Sequence, residues 1–145
     1  MSNEALKFFH NFIKEMIQIG GANLPKTVSS RLGTKLAQVY KEKGIVSITD
    51  ALKESYEAIK GWTSVDREDD SIQVSIKFLK KTCPLGGKYD PDKAGLIQDS
   101  ICVPYMEAFL KEIDPENEYE EEIEQCIVAD NKRTCRYILT LKSLD

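Results

Sequence analysis

The chain has 145 residues, a formal net charge of −4, 41% hydrophobic and 30% charged residues. That length suits a single domain spanning 1–145 with a real core, and the hydrophobic share is too high for a disordered tail. The acidic balance argues against a direct nucleic-acid partner, which calls for a basic stripe, and no run of apolar residues is long enough for a transmembrane segment.

The first predicted element carries Leu6, Phe9, Phe12, Ile13, Met16 and Ile17 at the 3–4 spacing of one helix face, ending at Gly20-Gly21. A second helix is expected after Leu24-Pro25, with Val28, Leu32, Leu36 and Val39 on its inner face, small Gly33 and Ala37 beside that face, and Gly44 as its stop. Ser47 or Thr49 can cap a third helix that carries Leu52, Tyr56 and Ile59 and breaks at Gly61.

The period then changes. Ile72, Val74, Ile76 and Phe78 alternate with polar residues, the pattern of a half-buried strand, with Thr63 to Arg67 as its hairpin partner across Glu68-Asp69-Asp70. Pro84, Gly86, Gly87 and Pro91 mark an irregular loop. A fourth helix places Ile97, Ile101, Tyr105, Phe109 and Ile113 on one face, with Pro104 delaying its start or kinking it. Two last strands, Glu118 to Val128 and Thr134 to Leu141, join through Ala-Asp-Asn-Lys. The expected fold is α+β: N-terminal helices packed on an antiparallel sheet of two hairpins, with an intervening helix. The acidic stretches Asp66 to Asp70 and Glu116 to Glu124 read as solvated turns and strand faces.

The N-terminus lacks the order of a signal peptide, because Glu4, Lys7, Lys14 and Glu15 interrupt its apolar residues. A cytoplasmic location is expected, where four cysteines serve as thiols or metal ligands and not as structural disulfides. Cys83, Cys102, Cys126 and Cys135 form no Cys-x-x-Cys pair. If the last hairpin turns through Asp130-Asn131, Cys126 faces Cys135 at a non-hydrogen-bonded site, with both sulfurs on one face. Cys83 leaves a strand for the Gly/Pro loop. Cys102 opens the fourth helix, whose free N–H groups would depress its pKa. Three readings of the thiols stay open: a metal site, a redox switch, or core packing. A metal site suits zinc in a closed tetrahedral site, or an iron–sulfur cluster as the lesser choice.

No catalytic constellation is expected, so the protein is read as a non-enzyme. His10, the only histidine, sits on the polar side of the first helix as a surface or interface residue with no sequence link to a cysteine nucleophile. Leu85-Gly86-Gly87-Lys88 lacks the spacing and the Ser/Thr of a phosphate loop. Phe8, Phe9 and Phe12 make the first helix more apolar than one buried stripe needs, and dimer packing is their expected use.

The motifs Cys83-Pro84-Leu85-Gly86, Ile101-Cys102 and the run from Cys126 to Cys135, with Arg31-Leu32-Gly33 and Gly61-Trp62 upstream, resemble the 4-vinyl-reductase-like family. That family is related to subunits of the TRAPP tethering complex, and the likeness is greatest to its archaeal methanogen output domain. The resemblance implies helices against an antiparallel sheet, a homodimer through N-terminal helices, and binding of a small hydrophobic ligand or a metal. It also implies a redox- or ligand-sensing role. Two features depart from it: no helix-turn-helix is present, and Asn131-Lys132 replaces the Gly-Asp turn of the relatives. A TRAPP-like interaction scaffold, or a carrier of a hydrophobic molecule, is the alternative to a cysteine-based metal or redox site.

Overall fold

Residues 3–142 are described by a computed structural model. Three helices come first, α1 (Asn3–Gly20), α2 (Asn23–Glu42) and α3 (Ile48–Glu57). Ser47 provides the cap of α3, its Oγ accepting the Asp50 N–H at 3.1 Å. The strands β1 (Trp62–Glu68) and β2 (Ser71–Lys77) follow as a hairpin turning at Asp69, which takes a positive φ of 41°. A continuous helical run then comprises α4 (Pro91–Ile97), a π-helical turn (Gln98–Cys102) and α5 (Val103–Ile113). The chain ends in β3 (Tyr119–Gln125), a single helical turn α6 (Ile127–Asp130) and β4 (Thr134–Leu141).

The four strands form one antiparallel sheet in the order β1-β2-β4-β3. The expected α+β architecture is therefore present, with the two hairpins joined side by side through β2 and β4. One face of the sheet carries Val74 and Ile76 of β2 and Tyr137 and Leu139 of β4. These pack with Leu52 of α3 and Phe109 and Leu110 of α5 into the core. Burial of such side chains contributes about 1.5–3 kcal/mol each. α3 lies on β1, α5 on β3, α2 along α5, and α1 along α2.

Four details differ from the sequence reading. On α2 the buried residues are Pro25, Ser29, Gly33, Ala37 and Tyr40, while Val28, Leu32 and Val39 face outward. The reason is the close approach of α5: a Cβ on Gly33 would run into the carbonyl oxygen of Tyr105. The small residues are the contact, not its margin. On α1 the buried stripe is Leu6, His10 and Ile13, and Phe12 is exposed.

Pro104 also acts earlier than a simple kink. It lacks the N–H that the Ser100 carbonyl would accept, and its ring crowds that carbonyl. The helix widens there into the π turn, and Ser100 O instead accepts the hydroxyl of Ser29 at 2.8 Å, with Ser30 Oγ on Pro104 O at 3.3 Å. Finally, β3 and β4 are not joined by a two-residue turn. Residues 127–130 coil into α6, which ends at Asn131 in the left-handed conformation, φ 56°.

Candidate functional site

The site is assembled from four separated segments that meet at one end of the sheet. Cys83 follows β2 and closes a small ring with Gly87: each N–H donates to the other residue's carbonyl at 2.8 Å. Gly87 holds φ +82°, a conformation that favours glycine. Within this ring the backbone amides of Gly86 and Leu85 lie near the Cys83 sulfur. The loop is clasped from two sides. His10 Nε2 donates to the Leu85 carbonyl at 3.1 Å, and a Cβ on Gly86 would stand 2.6 Å from Val128 Cγ2 of α6.

Cys126 precedes α6 in extended conformation, its N–H donating to Asp130 Oδ2 at 2.8 Å. The last pair of the β3–β4 ladder is Gln125 with Arg136, and beyond it Cys126 stays near enough to Cys135 to oppose its ionisation. The predicted register holds at the Gln125–Arg136 pair, whereas from Tyr119 to Ile123 the ladder runs one residue out of it, and the predicted two-residue connection is absent. A register irregularity between Ile123 and Gln125 accommodates the difference. Cys135 shares the inner face of β4 with Tyr137 and lies across from Ile76 of β2. Cys102 ends the π turn in the helical layer above.

Every pair among the four thiols is close enough for one to oppose ionisation of the other. Burial raises the Cys83 thiol first, against the lowering effect of the Gly86 and Leu85 amides. Burial and the neighbouring thiols raise Cys102 well above its ordinary value, and Cys135 is pushed up to about 12. The expected depression of Cys102 is therefore overturned. The helical run begins at Pro91, so no free N–H groups of a helix start surround the sulfur, and desolvation prevails. Among the described residues no three His, Cys, Asp or Glu side chains stand in an arrangement that encloses an ion as they lie.

Two residues of this region escaped the sequence reading. Glu121, one of the acidic run on β3, points inward and is half-buried, and its buried Oε2 has no hydrogen-bond partner among the described residues. Burial, then the charge of Glu107, holds its carboxyl well above the usual carboxylate range. The signal was the alternation itself: Tyr119, Glu121 and Ile123 share the inward parity of the strand. Next to it Tyr56 and Tyr137 join their hydroxyls at 2.8 Å, and burial raises both phenols well above 10.0. The second residue is His10. It is 5% exposed and anchors the Cys83 loop, not a surface group as expected, because its ring lies on the same stripe as Leu6 and Ile13.

On the outer side, α1 exposes Phe8, Phe12 and Ile19, and α2 exposes Val28, Leu32 and Val39. A surface cleft of ≈ 300 Å³ lies elsewhere, between Val46–Thr49, Arg67 and Asp114. No helix among the described residues is long and apolar enough to cross a membrane.

No family profile and no curated protein matches the sequence. Among solved structures the chain is similar to trafficking protein particle complex subunit 3 from Naegleria fowleri, a protein covalently bound to palmitic acid in that structure. The likeness has a TM-score of 0.64 at 10% identity and covers 96% of this chain and 93% of that one. The chain has the fold of a TRAPP-complex subunit.

Proposed function

We propose that this chain is a protein-interaction scaffold of the TRAPP-subunit type, working in the cytoplasm by binding and not by catalysis. The observation that carries the reading is the inverted apolar pattern of α2, with Val28, Leu32 and Val39 outside and small residues inside, next to a helix that exposes Phe8, Phe12 and Ile19. Apolar rows of this kind on neighbouring helices suit burial against another protein, and a second copy of the chain is the first partner to look for. The fold likeness to a subunit of a protein complex supports the same reading. Light scattering behind size exclusion, with Phe12→Glu and Leu32→Glu against a variant lacking all four thiols, tests it. Association lost in the helix variants and kept in the thiol variant is expected. Association that follows the thiols, or none with itself or with captured partners, would sink it.

A second reading is favoured by the convergence of the four thiols. Cys83, Cys102, Cys126 and Cys135 would hold one thiophilic ion, zinc in the first place, or an iron–sulfur cluster, fastening α6, the π turn and the sheet together. Binding would displace the thiol protons and turn the side chains toward the ion. Thiols with raised pKa values are poor nucleophiles, which argues against a fast redox switch. Elemental analysis of protein purified anaerobically without chelator decides: near-stoichiometric zinc or iron supports it, and metal-free, well-folded protein removes it. Mass spectrometry of the same sample reports a bound acyl chain or other hydrophobic ligand, the outcome that would instead align this chain with its palmitate-bound structural neighbour.

A further inference from the structure

One end of the sheet collects positive charge. Trp62 at the start of β1 pairs with Lys77 at the end of β2, and Lys77 pairs in turn with Thr134 at the start of β4. The Phe78 N–H donates to the Arg133 carbonyl at 2.9 Å, tying the chain that leaves β2 to the chain that enters β4. A Cβ on Gly61 would stand 2.5 Å from Ile76 Cγ2, so the segment entering β1 also lies against β2 here. These contacts gather Lys60, Lys77, Lys80, Lys81, Lys132 and Arg133 around one rim, and all six are exposed. The ion pairs among the described residues engage none of them. Between Ser71 and Tyr89 the sequence has no Asp or Glu. Two large apolar side chains stand in the same rim. Trp62 is 59% exposed beside Lys77, and Leu79 is 71% exposed because Phe78 before it turns into the core.

The charge is polarised along the strands. β1 runs from Trp62 in this rim to Glu68, where Asp66, Glu68, Asp69 and Asp70 make the other end acidic. Seven strand residues span about 20 Å, more than two Debye lengths of about 8 Å at physiological ionic strength. A flat anionic body that meets the rim end-on is therefore screened from the acidic end, and the net charge of −4 does not bar it.

We propose that this rim docks on an anionic lipid bilayer, with its six cations at the headgroups and Trp62 and Leu79 entering the interface. Cations alone suit any polyanion. The protruding apolar pair decides for lipid: a nucleic-acid backbone gives a leucine nothing to bury against, whereas the bilayer interface buries both side chains and favours tryptophan. Each Lys or Arg close to an anionic membrane surface contributes about fivefold in affinity. The rim shares no residue with the apolar rows of α1 and α2, so lipid binding and protein association are separable.

Sedimentation of the full chain with phosphatidylcholine vesicles, with and without phosphatidylserine, tests the proposal. It is read alongside the emission of Trp62, the only tryptophan of the chain. Wild-type protein should bind the phosphatidylserine vesicles, shift its emission to shorter wavelength and leave the neutral vesicles alone. Added salt should release it. Lys80→Ala with Lys81→Ala, and Lys132→Ala with Arg133→Ala, should each weaken binding about 25-fold, since each pair removes two charges. Leu79→Ser should weaken binding and keep its salt dependence. All these substitutions are at exposed positions, so the thermal midpoint of unfolding should stay at the wild-type value. Failure of wild-type protein to bind the phosphatidylserine vesicles overturns the proposal. Binding with unshifted Trp62 emission that survives both double variants also overturns it. Binding lost in Phe12→Glu and kept in the double variants moves the contact to α1 and removes the rim. Tighter binding to polyuridylate or polyglutamate than to the vesicles, through the same residues, assigns the rim to a nucleic acid or an acidic protein and overturns the lipid reading.

Discussion

The helical half of this protein and its cysteine-bearing half place their polar and apolar groups in opposite ways. α2 keeps Ser29, Gly33 and Ala37 inside and sets Val28, Leu32 and Val39 outside. The cysteine-bearing half does the reverse: it draws four thiols, Glu121 and the Tyr56–Tyr137 hydroxyl pair toward the interior. The first half has apolar surface left over, and the second has buried polar groups left over. Both are departures from what stability alone would select, and such departures collect where a surface or a site is used. The lesson is that the outer face of α2 is expendable for folding, whereas the buried polar groups are coupled to it.

Substitutions that exchange these patterns test the contrast. The largest effect is expected at Gly33, where Gly33→Val drives a side chain into the Tyr105 backbone and should destabilise by about 3 kcal/mol, read as the shift in urea midpoint. An unchanged midpoint would mean that α2 and α5 are not in such close contact.

Glu121 comes next. Its folded-state pKa is raised by burial first and by Glu107 second, so the folded protein holds a proton the unfolded chain has lost. Stability must then fall as pH rises above the ordinary carboxylate range. The groups that face Glu121 are Glu107 of α5, Tyr56 of α3, Tyr137 and Cys135 of β4, and Cys102 of the π turn. Of these, Glu107 opposes its charge, and Glu121 in turn raises the pKa values of the two tyrosines and two cysteines. Glu121→Gln should gain about 1–3 kcal/mol at pH 8 and little at pH 4, where both side chains are neutral. A destabilised Glu121→Gln at pH 8 would show that the carboxylate has a partner, such as a bound cation, in solution.

Tyr137→Phe removes one hydroxyl of the buried pair and should cost about 1 kcal/mol. A neutral result would leave the Tyr56 hydroxyl with a water partner. The smallest effect is expected on the outer face: Leu32→Glu should change stability by less than about 0.5 kcal/mol in monomeric protein while abolishing association. A large loss of monomer stability would erase the difference between the two halves.

The strands and hairpins were legible in the sequence because period 2 is a local signal. Ile72, Val74 and Ile76 announce β2, and the parity of β4 puts Cys135 with Tyr137 without further help. The register of the last hairpin was readable only at Gln125 and Arg136, because the irregularity between Ile123 and Gln125 shifts the rest by one residue. The turn was not, since Ile127–Asp130 coils only where Val128 can pack against the Gly86 loop. Helix faces were harder. The usual rule turns large apolar residues inward, and it failed on α2 because close helix packing selects for small ones. Glu121 was hidden in an acidic run that otherwise does face solvent, and His10 was read one face too far round α1.

By itself the sequence determined the order of the main helices and strands, the α+β class, a cap at Ser47 or Thr49, the loop at Cys83 and the parity of Cys135. Each of these depends on residues a few positions apart. The tertiary structure alone decided that four thiols more than fifty residues apart at their extremes come near enough to oppose one another's ionisation, that His10 holds the Leu85 carbonyl, and that Cys102 lies inside a helix and not at its start. Those facts depend on how α1, the π turn and the two hairpins lie against one another. Such placement is fixed by packing and desolvation over the whole chain, which no local pattern records.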